Sequence, residues 1–361
     1  ASSDLVCKLG GVPASLHALE LHLQTPDTTH CGVLATASAE DGEDCHVRVQ
    51  PVKTIELILD AMAGFPMEPK IQSACCLALT NLQRGRLGSQ RARRIAEEGG
   101  IEAVLMALKN NASAADVQTT GIVTLRKLVS EDAESTETFL RNGGMEALLH
   151  ALGTHPGHAD VAEYGLGILR PLVCHTKDMP ERILSLGGTK VVLKTMQLNL
   201  ARVAVQEFAC DIVSNLAWAM EECQAQLISE TGIPIVTRTL KAHFDSPNIQ
   251  ALSFAAVQAL ACNNEPSRKQ FGSLGAVEFV CKALKKYPME EPLQAFGLAA
   301  LQSLVIDHEE NTKECTRLSG IGLAQSAQMT HVGNPKIQEF GGMLLDTLQP
   351  WRTKRKKQPV S

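Results

Sequence analysis

The sequence predicts an all-α fold, a right-handed solenoid of about eight three-helix units. Three observations predict it. A glycine pair followed at once by an amphipathic run recurs, as Gly99-Gly100-Ile101-Glu102-Ala103-Val104, Gly143-Gly144-Met145-Glu146-Ala147-Leu148 and Gly187-Gly188-Thr189-Lys190-Val191-Val192. The residue just before each run (Gly11, Thr54, Gly100, Gly144, Gly188, Gly232, Gly275, Gly320) returns at steps of 43, 46, 44, 44, 44, 43 and 45. A fixed period of this length is the signature of stacked helical repeats. Finally, hydrophobic residues make up 44% of the chain but aromatics only 4%, so the core is built from Leu, Ile, Val and Ala, which suits closely packed helices.

Each unit reads in the same order. A short helix ends at the glycine, a second helix of about ten residues follows, then a polar turn and a longer third helix. Glycine suits the first corner because a chain reversing sharply out of a helix needs a residue tolerant of positive φ. Thr54 breaks the pattern, so the corner of the second unit is expected to be built differently. The third helix shows its frame best in Val205-Gln206-Glu207-Phe208-Ala209-Cys210-Asp211-Ile212-Val213-Ser214-Asn215-Leu216. Ile71-Gln72, Val117-Gln118, Leu293-Gln294 and Ile337-Gln338 open relatives of it. Residues 36–53, acidic and containing Gly42 and Pro51, replace the first helix of the second unit with an irregular loop. The repeats are expected to fill residues 1–350 as one elongated domain. Residues 351–361, with the run Lys354 to Lys357, form a flexible basic tail after Pro350. Leu5, Val6 and Cys7 have no preceding unit to cover them, as would be expected of an excerpt from a longer protein.

These units resemble armadillo repeats, through the three-helix period, the glycine corner and the A-L-x-N-L pattern seen in Ala78-Leu79-Thr80-Asn81-Leu82 and, with substitutions, in Ile212-Val213-Ser214-Asn215-Leu216. The resemblance covers nearly the whole chain. It implies that the third helices line a concave groove that binds a protein or peptide partner. Helical spacing then selects a stripe around the Asn81/Asn215 position. Asn81, Arg84, Arg126, Lys127 and Arg170 make it basic in one half; Asp211, Asn215 and Trp218 follow. The arginines suit charge-assisted bonds to an extended acidic segment, the Asn215 carboxamide suits a peptide backbone, and Trp218 is the candidate hot spot. Importin alpha holds nuclear-localisation peptides on a Trp/Asn ladder that this chain lacks, so the groove resembles the beta-catenin type more. A further stripe, Tyr164, Phe208, Leu252, Phe296 and Phe340, reads as packing between neighbouring helices or as a groove floor.

The function expected is a non-enzymatic scaffold or adaptor in signalling, cytoskeletal or ciliary assembly. The alternatives are a nuclear-import-type adaptor and a regulatory armadillo region of a larger enzyme. A formal net charge of -5 argues against nucleic acid or a membrane surface as the main partner and leaves electrostatics to local clusters, such as Arg84, Arg86, Arg91, Arg93 and Arg94. Eleven cysteines without a C-x-x-C pair read as small buried hydrophobes in a reducing compartment, cytoplasmic or nuclear. No apolar leader or run of roughly 20 apolar residues appears. No catalytic residue, metal, cofactor or small-molecule substrate is assigned. Gly165-Leu166-Gly167 falls inside a helix, and His155 and His158 lack the partners a metal site needs.

Overall fold

The computed structural model describes Thr29, Val33, residues 51–130 and residues 132–356. Among these described residues every regular element is a helix and none is a strand. The chain divides into two compact units, Ala1–Ile168 and Leu169–Ser361, and the division falls inside a helix. In the first unit α1 (Pro51–Gly64) and α2 (Pro69–Leu82) are followed by the triplet α3 (Gly88–Glu97), α4 (Gly100–Asn110) and α5 (Ala115–Val129). The next triplet is α6 (Ala133–Arg141), α7 (Gly144–Thr154) and α8 (Ala159–His175). The second unit holds α9 (Met179–Ser185), α10 (Gly188–Leu198) and α11 (Val203–Ala219), then α12 (Glu221–Ser229), α13 (Gly232–Ala242) and α14 (Pro247–Ala261). It ends with α15 (Glu265–Ser273), α16 (Ala276–Lys286), α17 (Glu291–Val305), α18 (Glu309–Arg317), α19 (Gly320–Thr330) and α20 (Pro335–Lys356).

The corner at Gly11, the leading Leu5 to Cys7 and the acidic stretch from Thr36 to Asp44 lie outside the described residues. Of the loop expected over 36–53, Pro51 to Lys53 are described, and they open α1. Thr54 is therefore buried within a helix already begun. At the other end α20 carries Pro350 inside it and runs to Lys356, past the proline at which the sequence reading ended the last helix.

Third helices pack side by side within each unit: α2 on α5 in the first, and α11, α14, α17 and α20 in succession in the second. Their apolar residues fill the core, with Leu79 and Leu125 in the first unit and Phe254 and Leu298 in the second at no more than 1% exposure. A glutamine near the start of every described third helix but α8 fixes how it meets the second helix before it. The last carbonyls of any helix have no partner within it. Gln206 donates its carboxamide to Met196 O and Asn199 O at 2.9 and 3.0 Å. Gln118 does the same to Leu108 O and Asn111 O at 2.9 and 3.0 Å, Gln250 to Leu240 O and His243 O at 2.8 and 3.0 Å, and Gln294 to Leu284 O and Tyr287 O at 2.9 Å each. Gln72 and Gln338 repeat the pattern at the two ends of the described array. Ala162 stands at this position on α8.

A second recurring bond joins successive repeats. The residue just past α4, α7, α13 and α19 reaches back to the turn of the repeat before: Asn111 to Pro66 O at 3.0 Å, His155 to Ala112 O at 2.7 Å, His243 to Leu200 O at 2.6 Å, and His331 to Pro288 O at 2.9 Å. A carbonyl only accepts, so each of these imidazoles carries its proton on Nε2. His155 thus serves packing, and no group of three His, Cys, Asp or Glu residues that could hold a metal occurs among the described residues.

The corner is built from two positions with different demands, where the sequence reading gave one glycine the tolerance of positive φ alone. Positive φ falls on the residue before the helix, +77° at Gly143. Gly144, first in α7, is needed for closeness instead, since a Cβ there would lie 2.4 Å from the Phe139 ring. At two corners the left-handed position is held by Thr231 (φ 67°) and Ser319 (φ 66°). A β-branched residue is strained there.

Two stability outcomes are expected from urea titrations. Gln206→Leu orphans two carbonyls and the Thr239 hydroxyl that donates to Gln206 at 2.6 Å, and should cost about 2–4 kcal/mol. Thr231→Gly should stabilise by about 1 kcal/mol, the relief of left-handed strain exceeding the added freedom of the unfolded chain.

Candidate interaction face on the third helices

A helix packed on one side keeps a stripe for solvent, and the stripe follows from spacing. On α2 the exposed positions are Pro69, Lys70 and Leu77, with Arg84 just beyond the helix end; on α5 the half-buried or exposed positions include Asp116, Val123, Arg126 and Lys127, with Ser130 just beyond its end. Asn81 is at 7% exposure and turns inward, away from this stripe.

In the first unit the three cations Arg84, Arg126 and Lys127 gather at the C-terminal ends of α2 and α5. Lys127 donates from Nζ to Thr80 O at 3.3 Å, in the last turn of α2, where the helix dipole favours a cation. Its pKa is nevertheless lowered, first by burial and then by the charge of Arg84. Arg126 lays its guanidinium over Tyr164, 5.7 Å from the ring centroid. It also crosses Gly167, where a Cβ would meet its Cζ at 3.2 Å. Glycine at 167 leaves the room that the guanidinium fills.

In the second unit the predicted residues are joined to one another. Arg170, exposed, pairs with Asp211 and lies over the Phe208 ring at 5.8 Å. Asn215 donates its carboxamide to the Asp211 carboxylate at 3.0 Å and to the Asp211 carbonyl at 2.8 Å, so its oxygen is the atom left for a ligand. Trp218 is 53% exposed in the last turn of α11. Beyond α14 the stripe narrows. α17 buries every residue from Leu293 to Val305 except Phe296.

Sequence reasoning missed the arginine–ring pairs. The signal was present: Arg126 to Tyr164 and Arg170 to Phe208 are both 38 residues apart, one repeat less six residues. The aromatic stripe therefore combines helix packing with a half-buried surface for cations. The arginine cluster of residues 84–94 does not act together. Arg91 is buried and donates to Leu82 O at 3.2 Å, Arg93 faces Asp132 at 3.8 Å, and Arg94 bonds Glu98 at 2.5 Å. Among the cysteines, burial pushes the Cys76 thiol up to about 12, so it is a packing group and no nucleophile.

No protein-family model and no curated protein matches the sequence. Solved structures do. A designed armadillo repeat protein in complex with the peptide (KR)4 is 17% identical, with a TM-score of 0.52 over 71% of this chain and 100% of its own. The fold is of the armadillo type. An engineered protein matches at 16% identity and a TM-score of 0.59 over 97% of this chain and 99% of its own. A chain from a structure of the phosphorylation switch controlling the interaction between cadherin and beta-catenin matches at 14% identity and a TM-score of 0.58, over 94% and 69%. In armadillo terms the faces described above belong to the third helix of each repeat.

The lowered pKa of Lys127 has a measurable consequence. Its charged form is disfavoured in the fold, so the residue's contribution to stability rises with pH across the window between the lowered folded value and the ordinary lysine value. Arg84→Gln should move the Lys127 titration upward, read by NMR at the ε-carbon. An unchanged titration would leave burial as the sole cause.

Proposed function

We propose that the chain is a non-enzymatic protein-interaction scaffold that holds an extended acidic segment of a partner against the third-helix face of its first unit. One observation carries this reading: Arg84 and Lys127 stand close enough on that face for one charge to weigh on the other. Like charges held together are relieved when a carboxylate or phosphate arrives between them. Arg126, held on Tyr164, presents a positioned guanidinium beside them. In the second unit Arg170 and Asp211 neutralise each other, and that face suits mixed polarity, with Trp218 as its anchor. The neighbour that holds (KR)4 binds a peptide of the opposite charge. A cationic peptide would meet Arg84, Arg126 and Lys127 as like charges here. Operation in the cytoplasm or nucleus is part of the proposal, supported by unbridged Cys75 and Cys76 used as core packing. No helix among the described residues is long and apolar enough to cross a membrane.

Fluorescence anisotropy with two labelled peptides, one rich in Asp and Glu and the other (Lys-Arg)4, tests the reading. The acidic peptide should bind more tightly, and Arg84→Glu should weaken it about tenfold, or roughly 1.4 kcal/mol, without changing the melting temperature. Tighter binding of the cationic peptide would overturn it. Leu125→Ala should do the reverse, losing about 2–5 kcal/mol of stability through a core cavity while folded protein retains its affinity.

A further inference from the structure

The second helices α10, α13 and α16 lie side by side in the second unit. Their outward positions are basic in a way the rest of the array is not. Lys194, Arg238 and Lys282 occupy one repeat position at intervals of 44 residues, and all are exposed. One turn further on, Lys241 and Lys285 share a second position, with Lys286 beside them. The first of these positions holds Met106 and His150 in the first unit and Ser326 on α19, and outside these three helices the second is basic only at Lys109 on α4. Neither α10 nor α13 carries an acidic residue, and Glu278 is the one on α16. The whole chain, by contrast, has a formal net charge of -5.

The lysines are held in place by aromatic rings. Lys241 and Lys282 lie over Phe279 at 5.4 and 6.0 Å, and Lys286 lies over both Phe244 and Tyr287 at 5.0 Å. Phe244 and Phe279 meet edge to face, with centroids 6.3 Å apart. Glu278 and Asp245 bond Lys282 and Lys286 and offset part of the charge. At the same helix ends large apolar side chains stand in solvent, Leu198 at 53% and Met289 at 74% exposure.

We propose that this face docks peripherally on a bilayer containing anionic phospholipid, the cations against the headgroups and Leu198 and Met289 entering the interface. Three features favour lipid over other polyanions. Five of the six cations are lysines, point charges suited to a diffuse negative surface, whereas a carboxylate peptide selects the arginine fork. The ring faces already carry ammonium groups, so they are poor platforms for stacked bases. The exposed Leu and Met have no counterpart on a nucleic-acid backbone and fit the headgroup–acyl boundary. The inference is independent of the third-helix face.

Co-sedimentation of the full chain with vesicles of phosphatidylcholine alone, or with three parts in ten phosphatidylserine, tests it. The chain should pellet with the serine-containing vesicles only, and less as salt is raised. Arg238→Glu with Lys285→Glu should reduce binding at least tenfold, Leu198→Ser with Met289→Ser should reduce it with no change of charge, and Arg84→Glu should leave it unchanged. Circular dichroism checks that each variant is folded. Pelleting with neutral vesicles to the same extent, insensitivity to Arg238→Glu with Lys285→Glu in a folded variant, or tighter binding to a duplex oligonucleotide or an acidic peptide than to the vesicles would each overturn the proposal.

Discussion

The fold depends on one recurring bond, the buried glutamine carboxamide that donates to two carbonyls at the end of the helix before it. Those carbonyls would otherwise be sealed from water by the third helix, at a cost comparable to the net stability of a small domain when summed over the repeats. Gln118, Gln206, Gln250 and Gln294 each remove two such penalties at the same place in the repeat. In doing so they set the register between second and third helix, because an amide with two hydrogens meets both carbonyls in one geometry only. That register decides which side chains of the third helix face outward. Arg126, Lys127 and Trp218 are on the outer stripe for this reason.

Much of the architecture was legible in the order of residues, since a period near 44 with helical spacing leaves few alternatives. The outward stripe was legible for the same reason on α5, α8 and α11. Side-chain partners were less so. Asn81 shares a repeat position with Lys127 and Asn215, yet it turns into the core, because inclination at a helix end depends on how the neighbouring helix seats and not on spacing alone. Arg170 and Asp211 are separated by 41 residues and read as two independent site residues until the repeats are stacked. The glycine pair shows a similar limit. Its recurrence is obvious, while the distinct demands on the two members, torsion at Gly143 and contact at Gly144, appear only with Phe139 in place.

Cations in this chain are handled in two ways. On the third helices Arg126 and Arg170 lie over the rings of the following repeat, which restrains the side chains and lowers the entropy a ligand must remove on binding. On the second helices the ammonium groups of Lys286 and Lys241 lie over Phe244 and Phe279, a contact that orients a point charge without a fixed plane. Both arrangements use the few aromatics the sequence contains, and both place them at half-buried positions. Scarcity of aromatics in the core and their use under charge are two sides of one allocation.

Ala162 takes the place of the glutamine on α8, and Pro171 in the same helix supplies no amide hydrogen to the turn before it. The fourth repeat therefore lacks the two-carbonyl anchor of its neighbours, and its third helix also forgoes one backbone bond at Pro171. Local opening in repeat arrays begins at the module with the weakest internal bonding. Among the described repeats, amide exchange and limited proteolysis would thus start at α8, and denaturation would proceed outward from it.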